Sequence, residues 1–203
     1  MLRIQSGEFR SRILESPPEL GGGRDVTRPM TARVKESLFN LLRGWFEGAR
    51  VLDLFAGVGT MGLEAVSRGA REVVLIERDR EIARYLEANI ASLKCKDRAT
   101  AIQGDALGPL AIERAPKPVD IVFLDPPYDF MIDETRRARV LDTARRLREV
   151  MADRGFLVLR SPVDLGDAER AIPGFDGPEV HAYGKDMKVL LYMPAPTPAT
   201  LTS

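Results

Sequence analysis

The sequence predicts a doubly wound α/β domain built on one mostly parallel sheet of seven strands. Three observations predict it. Apolar, strand-like runs alternate with helical patterns from residue 51 to residue 193, as βα units do. A glycine turn, residues 56–59, joins the first run to a helical stretch. Four strand ends carry a carboxylate: Asp53, Glu77, Asp105 and Asp125. Ligands of such sheets bind outside the carboxyl ends of the strands, so the four acids are expected to converge on one crevice.

Length and composition set the frame. A chain of 203 residues suits one domain with a real core. With 44% hydrophobic and 30% charged residues it falls among globular chains rather than disordered ones. No apolar run approaches the ~20 residues of a membrane helix. The first residues, MLRIQSGEFRSRIL, lack the apolar centre of a signal peptide. The one cysteine, Cys95, excludes an intrachain disulfide and fits a reducing cytoplasm. Its Lys-Cys-Lys setting reads as an incidental surface or semi-buried thiol. Net charge is zero, yet residues 1–35 hold seven basic and four acidic side chains. That local excess suggests an anionic partner for the N-terminal segment.

The elements follow in order. Residues 2–15 read as a β-hairpin, with Ser6-Gly7 at the turn. Residues 16–29 form a loop rich in proline and glycine. A helix spans about 31–46, with Val34, Leu38, Leu41, Leu42 and Trp45 at helical spacing. Residues 51–55 are a buried strand, and Thr60 is the expected N-cap of a helix running to about 68. Strands follow at 72–77, 99–103, 119–124 and 156–160, with helices at 79–93, 134–151 and 165–172 and a short helix or loop at 107–117. An antiparallel pair, 180–183 and 188–193, closes the sheet, and His181 reads as a strand residue. The Pro- and Thr-rich tail, PAPTPATLTS, is expected to stay unpacked.

Gly57-x-Gly59-x-x-Gly62 matches the dinucleotide fingerprint, with Glu77 where a ribose-binding acid belongs. An NAD(P)-dependent oxidoreductase is therefore one alternative. Electrostatics argue against it. Asp53 would repel a pyrophosphate, because like unit charges ~5 Å apart cost roughly 3 kcal/mol at an effective dielectric near 20. S-adenosylmethionine (SAM) carries an ammonium and a sulfonium and no phosphate. Asp53, Phe55, Gly57 and Gly59 would line its site. Glu77, beside Arg78, would accept the ribose hydroxyls. Asp105 and the Ala106 N–H would read the adenine edge.

Asp125-Pro126-Pro127-Tyr128 is the sharpest motif. Two prolines remove two backbone donors and stiffen the chain. Asp125 and the Pro126 carbonyl could then accept both N–H bonds of a planar amine, while Tyr128 stacks on its ring. Such an amine is a poor nucleophile, so in-line placement against an activated methyl group supplies the rate. A base inside a helix must be flipped out to reach the pocket. No metal is called for, since His181 is the single histidine. An adenine-N6 methyltransferase on DNA or RNA would use the same motif.

RIQSGEFRSRIL, RPMTARVKESLFNLL, DLFAGVGTMGLEAVSRGA and IVFLDPPY together resemble the RsmD family. The resemblance implies a Rossmann-like class I methyltransferase sheet with an N-terminal β-hairpin extension. It also implies SAM-dependent methylation of the N2 amine of one guanine in 16S ribosomal RNA. The implied layout is an RNA-binding extension over 1–30, a methyltransferase domain over 31–193 and a tail over 194–203. Arg3, Arg10, Arg12 and Arg24 would meet RNA phosphates, which position without specifying. Arg28, Thr31 and Arg33 would stand beside cofactor or target nucleotide. Met30 and Ala32 depart from the family's Thr and Asp. Arg136, Arg137, Arg139, Arg145, Arg146 and Arg148 read as a solvated helix face. The expected partner is 16S rRNA or the small subunit, and the expected state a monomer. A ribosome-assembly factor without turnover is a further alternative, opposed by the intact Asp-Pro-Pro-Tyr.

Overall fold

The computed structural model describes residues 1–18, 32–185 and 187–196. It contains α1 (Ala32–Leu41), β1 (Arg50–Leu54), α2 (Gly62–Ser67), β2 (Glu72–Glu77), α3 (Arg80–Ser92) and β3 (Ala99–Gln103). Then come α4 (Leu110–Glu113), β4 (Val119–Leu124), α5 (Tyr128–Ile132), α6 (Glu134–Leu147) and β5 (Met151–Ser161). The last elements are α7 (Asp167–Arg170), β6 (Phe175–Ala182) and β7 (Lys188–Pro194). The sheet order is β3-β2-β1-β4-β5-β7-β6. Pairing is parallel from β3 to β5, and β7 runs antiparallel to both β5 and β6. The order reverses between β1 and β4, which puts the ligand crevice at their carboxyl ends.

Strands buried on both faces split their side chains between two cores. Val51, Val73, Leu75, Ile121, Phe123, Val158 and Val189 pack with Leu38, Phe39, Leu63 and Leu86 of α1, α2 and α3. Leu52, Leu54, Ile76, Val122, Leu124, Leu157 and Tyr192 pack with Ala111, Val140, Ala144 and Leu147 of α4 and α6. Aromatic rings tie the first core together, with Phe39 4.9 Å from Phe46 and 5.6 Å from Phe123 between centroids. Such pairs add about 0.5–1.5 kcal/mol each beyond burial.

Several local expectations need correction. The N-terminal arm turns back on itself, but among the described residues one antiparallel bridge, Arg3 to Ile13, replaces two regular strands. The reason is its docking: residues 5, 6, 8 and 9 spend their backbone N–H groups on α2 rather than on each other. Helix α1 stops at Leu41, and Leu42, Trp45 and Phe46 fill the core from a turn containing Gly44 at φ +89°. Thr60 caps nothing. Helix α2 starts two residues later, and its Gly62 N–H donates to the Asp53 carboxylate at 2.8 Å. Strand β5 begins five residues earlier than its apolar core suggests and β6 five earlier than 180. Cys95 is fully buried rather than superficial, its thiol pushed up to about 11 by desolvation. The flanking Lys94 and Lys96 are exposed, and they gave the sequence its surface character. The loop expected at 16–29, from residue 19 on, and the tail from 197 lie outside the described residues. His181 does stand on a strand, β6.

Candidate methyl-transfer site

Backbone bonds zip the strand ends together beyond the ladder. Asp125 N–H donates to Leu54 O, Ala56 N–H to Ile76 O and Gly104 N–H to Glu77 O. Asp125, Asp53, Glu77 and Asp105 thus sit on four successive strands at one end of the sheet. The charges of Asp125 and Glu77 both act on Asp53.

Asp53 is 1% exposed. Burial, reinforced by Asp125 and Glu77 and opposed by the Gly62 N–H, pushes its carboxyl up to about 8. Burial thus favours its neutral form, which weakens the repulsion expected against a pyrophosphate. The structure supplies a different obstacle. Gly57 N–H donates to Glu77 Oε2 at 2.9 Å, Gly59 N–H to Ala56 O at 2.8 Å and Gly62 N–H to Asp53. A dinucleotide turn binds pyrophosphate with backbone N–H groups of this kind. Here all three are taken, two of them by carboxyl groups. Gly57 has φ +56° and open space where a Cβ would stand, so a ligand without phosphate can come close to the turn. Phe55, at φ +64°, turns its ring edge-on to Phe130 with centroids 5.8 Å apart. A bulky residue in that region signals local strain, which clusters at ligand sites.

Glu77 is fixed from both sides, since Oε1 accepts the Asp79 N–H at 2.8 Å. Each oxygen keeps a second lone pair for a hydroxyl donor. Arg78 beside it is exposed. Asp105 forms a local turn through the Leu107 N–H at 3.0 Å and lies 3.5 Å from Arg139. Ala106 is buried, and its N–H has no hydrogen-bond partner among the described residues. A fixed ribose-height carboxylate, an unspent amide and an open glycine turn fit SAM, whose adenosine asks for an acceptor pair and a donor in those places.

The Asp-Pro-Pro-Tyr motif leaves β4 beside this turn. Pro127 O accepts the Phe130 N–H and starts α5, while Pro126 O accepts no hydrogen bond among the described residues. Tyr128 is 45% exposed, so its ring face is open to a partner. Burial raises Asp125 above the usual carboxylate range, and Arg160 pulls it back. Arg160 Nε–H donates to Asp125 Oδ1. Sequence reasoning missed Arg160. Its only signal was position, the end of the strand beside β4.

The basic residues divide. Arg3, Arg10, Arg12 and Arg33 are exposed. Arg12 also donates to Ser92 O at 3.2 Å. Arg24, Arg28 and Thr31, with Met30, lie outside the described residues. Ala32, where the family has Asp, serves through its backbone: its carbonyl accepts Gln5 Nε2 at 2.6 Å. The α6 arginines are not a uniform solvated face. Arg137 is largely buried, bonded to Met131 O and Glu169, and Arg136 lies over the Phe130 ring. Among the described residues no helix is long and apolar enough to cross a membrane.

Comparison with known proteins settles the kinship. The family model described as "Conserved hypothetical protein 95" matches residues 2–176. The chain is 37% identical over 167 residues to "Ribosomal RNA small subunit methyltransferase D" of Escherichia coli, covering 81% of this chain and 77% of that one. The chain belongs to the RsmD family. The Haemophilus influenzae relative of the same name is 39% identical over 134 residues, 66% of this chain and 67% of that one. A solved Escherichia coli structure, "Putative methyltransferase yhhF", superposes with a TM-score of 0.74 at 30% identity, over 95% of this chain and 97% of the other. RsmD kinship makes the seven-stranded sheet above a methyltransferase sheet, and its match from residue 2 takes in the N-terminal arm.

Proposed function

We propose that this chain transfers a methyl group from SAM to the exocyclic N2 amine of a guanine in small-subunit ribosomal RNA. The observation that carries the reading is the Asp125–Tyr128 corner, held against the glycine turn by the Asp125 N–H to Leu54 O bond. SAM supplies an electrophilic methyl on a sulfonium. Asp53 fixes the start of α2, Glu77 holds the ribose and Ala106 N–H reads the adenine. Asp125 and Pro126 O accept the two amine protons, which turns the nitrogen lone pair toward the methyl group. Tyr128 stacks on the purine and keeps it in plane. As the N–C bond forms and the C–S bond breaks, the amine loses one proton, and Asp125 is the carboxylate placed to take it. Catalysis here is chiefly positioning, worth several powers of ten when reacting atoms are held in line. The target base must be unpaired or flipped to lie in this corner.

Names of the relatives support 16S rRNA or the small subunit as partner. A ribosomal substrate supports a cytoplasmic location. The test is incubation of labelled SAM with small-subunit particles from cells lacking the activity, then digestion and mapping of the product. N2-methylguanosine at one position is expected. Label in N6-methyladenosine would establish the adenine reading instead, and NAD binding without SAM binding would establish the oxidoreductase.

A further inference from the structure

Asp125 alone accepts from any amine, on guanine or on adenine. What stands beside it decides more. Strand β5 pairs with β4 in parallel register, Leu124 opposite Leu159. Asp125 and Arg160 therefore follow as neighbours and leave the sheet on the same face. Their side chains are 20% and 14% exposed, so the pair is mostly buried but keeps some accessible surface at the strand ends. A carboxylate offers about four lone-pair positions and a guanidinium five N–H donors. The Nε–H to Oδ1 bond joins the two.

We infer that Asp125 and Arg160 act together as the reader of the target base, with Arg160 donating to guanine O6; this rests on the guanine reading above. The Watson–Crick edge of guanine runs N2–H, N1–H, O6, which is donor, donor, acceptor. Asp125 takes the two donors in line and Arg160 meets the acceptor. The guanidinium fork suits this, because its parallel N–H groups can serve a carboxylate and a neighbouring oxygen along one edge. Adenine presents an amine beside a bare N1 lone pair. That lone pair would face the carboxylate, and no oxygen would face Arg160. Choice of base is thus set one strand away from the Asp-Pro-Pro-Tyr motif.

The test compares particles carrying guanine or 2,6-diaminopurine at the mapped target position. Diaminopurine keeps the 2-amine but reverses the other two edge positions. Wild type should prefer guanine in kcat/KM by about 100-fold or more. Arg160→Met should lose about 10–100-fold on guanine, the scale of one good base contact, with diaminopurine unchanged or improved. Arg160→Lys keeps a cation beside Asp125, which guards the fold, and should lose about 3–10-fold of the preference. Because each value is a ratio within one preparation, an inactive fraction cancels. An equal loss on both bases would make Arg160 a tether of Asp125 only and overturn the inference, as would an unchanged ratio. No product at all from wild type on guanine would instead overturn the function itself.

Discussion

Glu64 carries the heaviest structural load of any charged group in the described residues, and Glu64→Gln is the sharpest test of how the N-terminal arm is held. The carboxylate is fully buried in α2. It accepts the N–H of Gln5 at 2.7 Å and of Ser6 at 3.0 Å, Lys35 Nζ at 3.1 Å and Arg68 Nε at 2.9 Å. An amide keeps the shape but only one acceptor oxygen, and its NH2 turns donors toward donors. Lys35, itself 5% exposed, is left without its counter-ion. Breaking a buried pair from one side costs about 3–5 kcal/mol. For a chain of this length each kcal/mol lowers Tm by about 2–4 °C, so a drop of about 6–20 °C is expected. Burial already holds the Lys35 ammonium below its ordinary value against the pull of Glu64. Without Glu64 it falls further, and the folded state then binds fewer protons than the unfolded one. Stability of the variant therefore rises with pH toward the ordinary lysine range, and its deficit shrinks. Urea titrations at pH 7 and pH 9.5 measure both effects, and hydrogen exchange at Gln5 and Ser6 should quicken. A loss below about 1 kcal/mol at pH 7, or a deficit growing with pH, would refute the buried-hub reasoning.

Three further outcomes are expected. Asp53→Asn removes a carboxyl whose folded pKa lies well above its unfolded value near 3.8; wild type binds the extra proton only when folded, so its stability falls as pH rises from about 4 to about 8. At ~1.4 kcal/mol per unit, the variant should gain at most about 5 kcal/mol relative to wild type across that interval, and parallel urea profiles would contradict the buried carboxyl. Gly7→Ala would put a Cβ 1.7 Å from Ser67 O at φ +81°, whereas Gly44→Ala, at φ +89°, meets open space. Thermal melts should show about 1 kcal/mol for Gly44→Ala and at least twice that for Gly7→Ala, and equal losses would mean that the arm does not press on α2. Arg10→Glu with Arg12→Glu should weaken RNA binding and lower the slope of log K against log salt by about 1.5; an unchanged slope in filter binding removes the arm from the RNA interface.

The four central strands were legible because each is a run of apolar residues bounded by a turn, and burial on both faces leaves little else those runs can be. The edges were not. Strand β6 begins at Phe175 and crosses Gly177-Pro178, which break any alternation a reader could follow. The site was legible where the chain itself is the message, as in Asp125 to Tyr128 and at the glycine turn. It was illegible where the partner comes from elsewhere. Thr60 has the right chemistry for a cap, but a carboxyl nine residues earlier reaches Gly62 first. Arg160 joins Asp125 across 35 residues, a pairing that only strand order creates. Asp53 was noticed for its charge, yet complete burial favours its neutral form, and the three glycine N–H groups of the turn are already bonded within the protein.

The docking of the arm has a temporal side. Its partners come far behind it in the chain: Glu64 and Ser67 are 58 or more residues later, Asn89 grips the Glu15 backbone from 74 residues away, and Arg98 meets Glu8 across 90. At about 5–20 residues per second of synthesis, the arm waits roughly 3–18 s for these partners to be made. Closing loops of that length gives no reward until the last contact forms. The segment made early is thus settled only after α2 and α3 have been made. A protein whose proposed substrate is the small ribosomal subunit can complete its proposed RNA-binding arm only after the helices that hold the arm have been made.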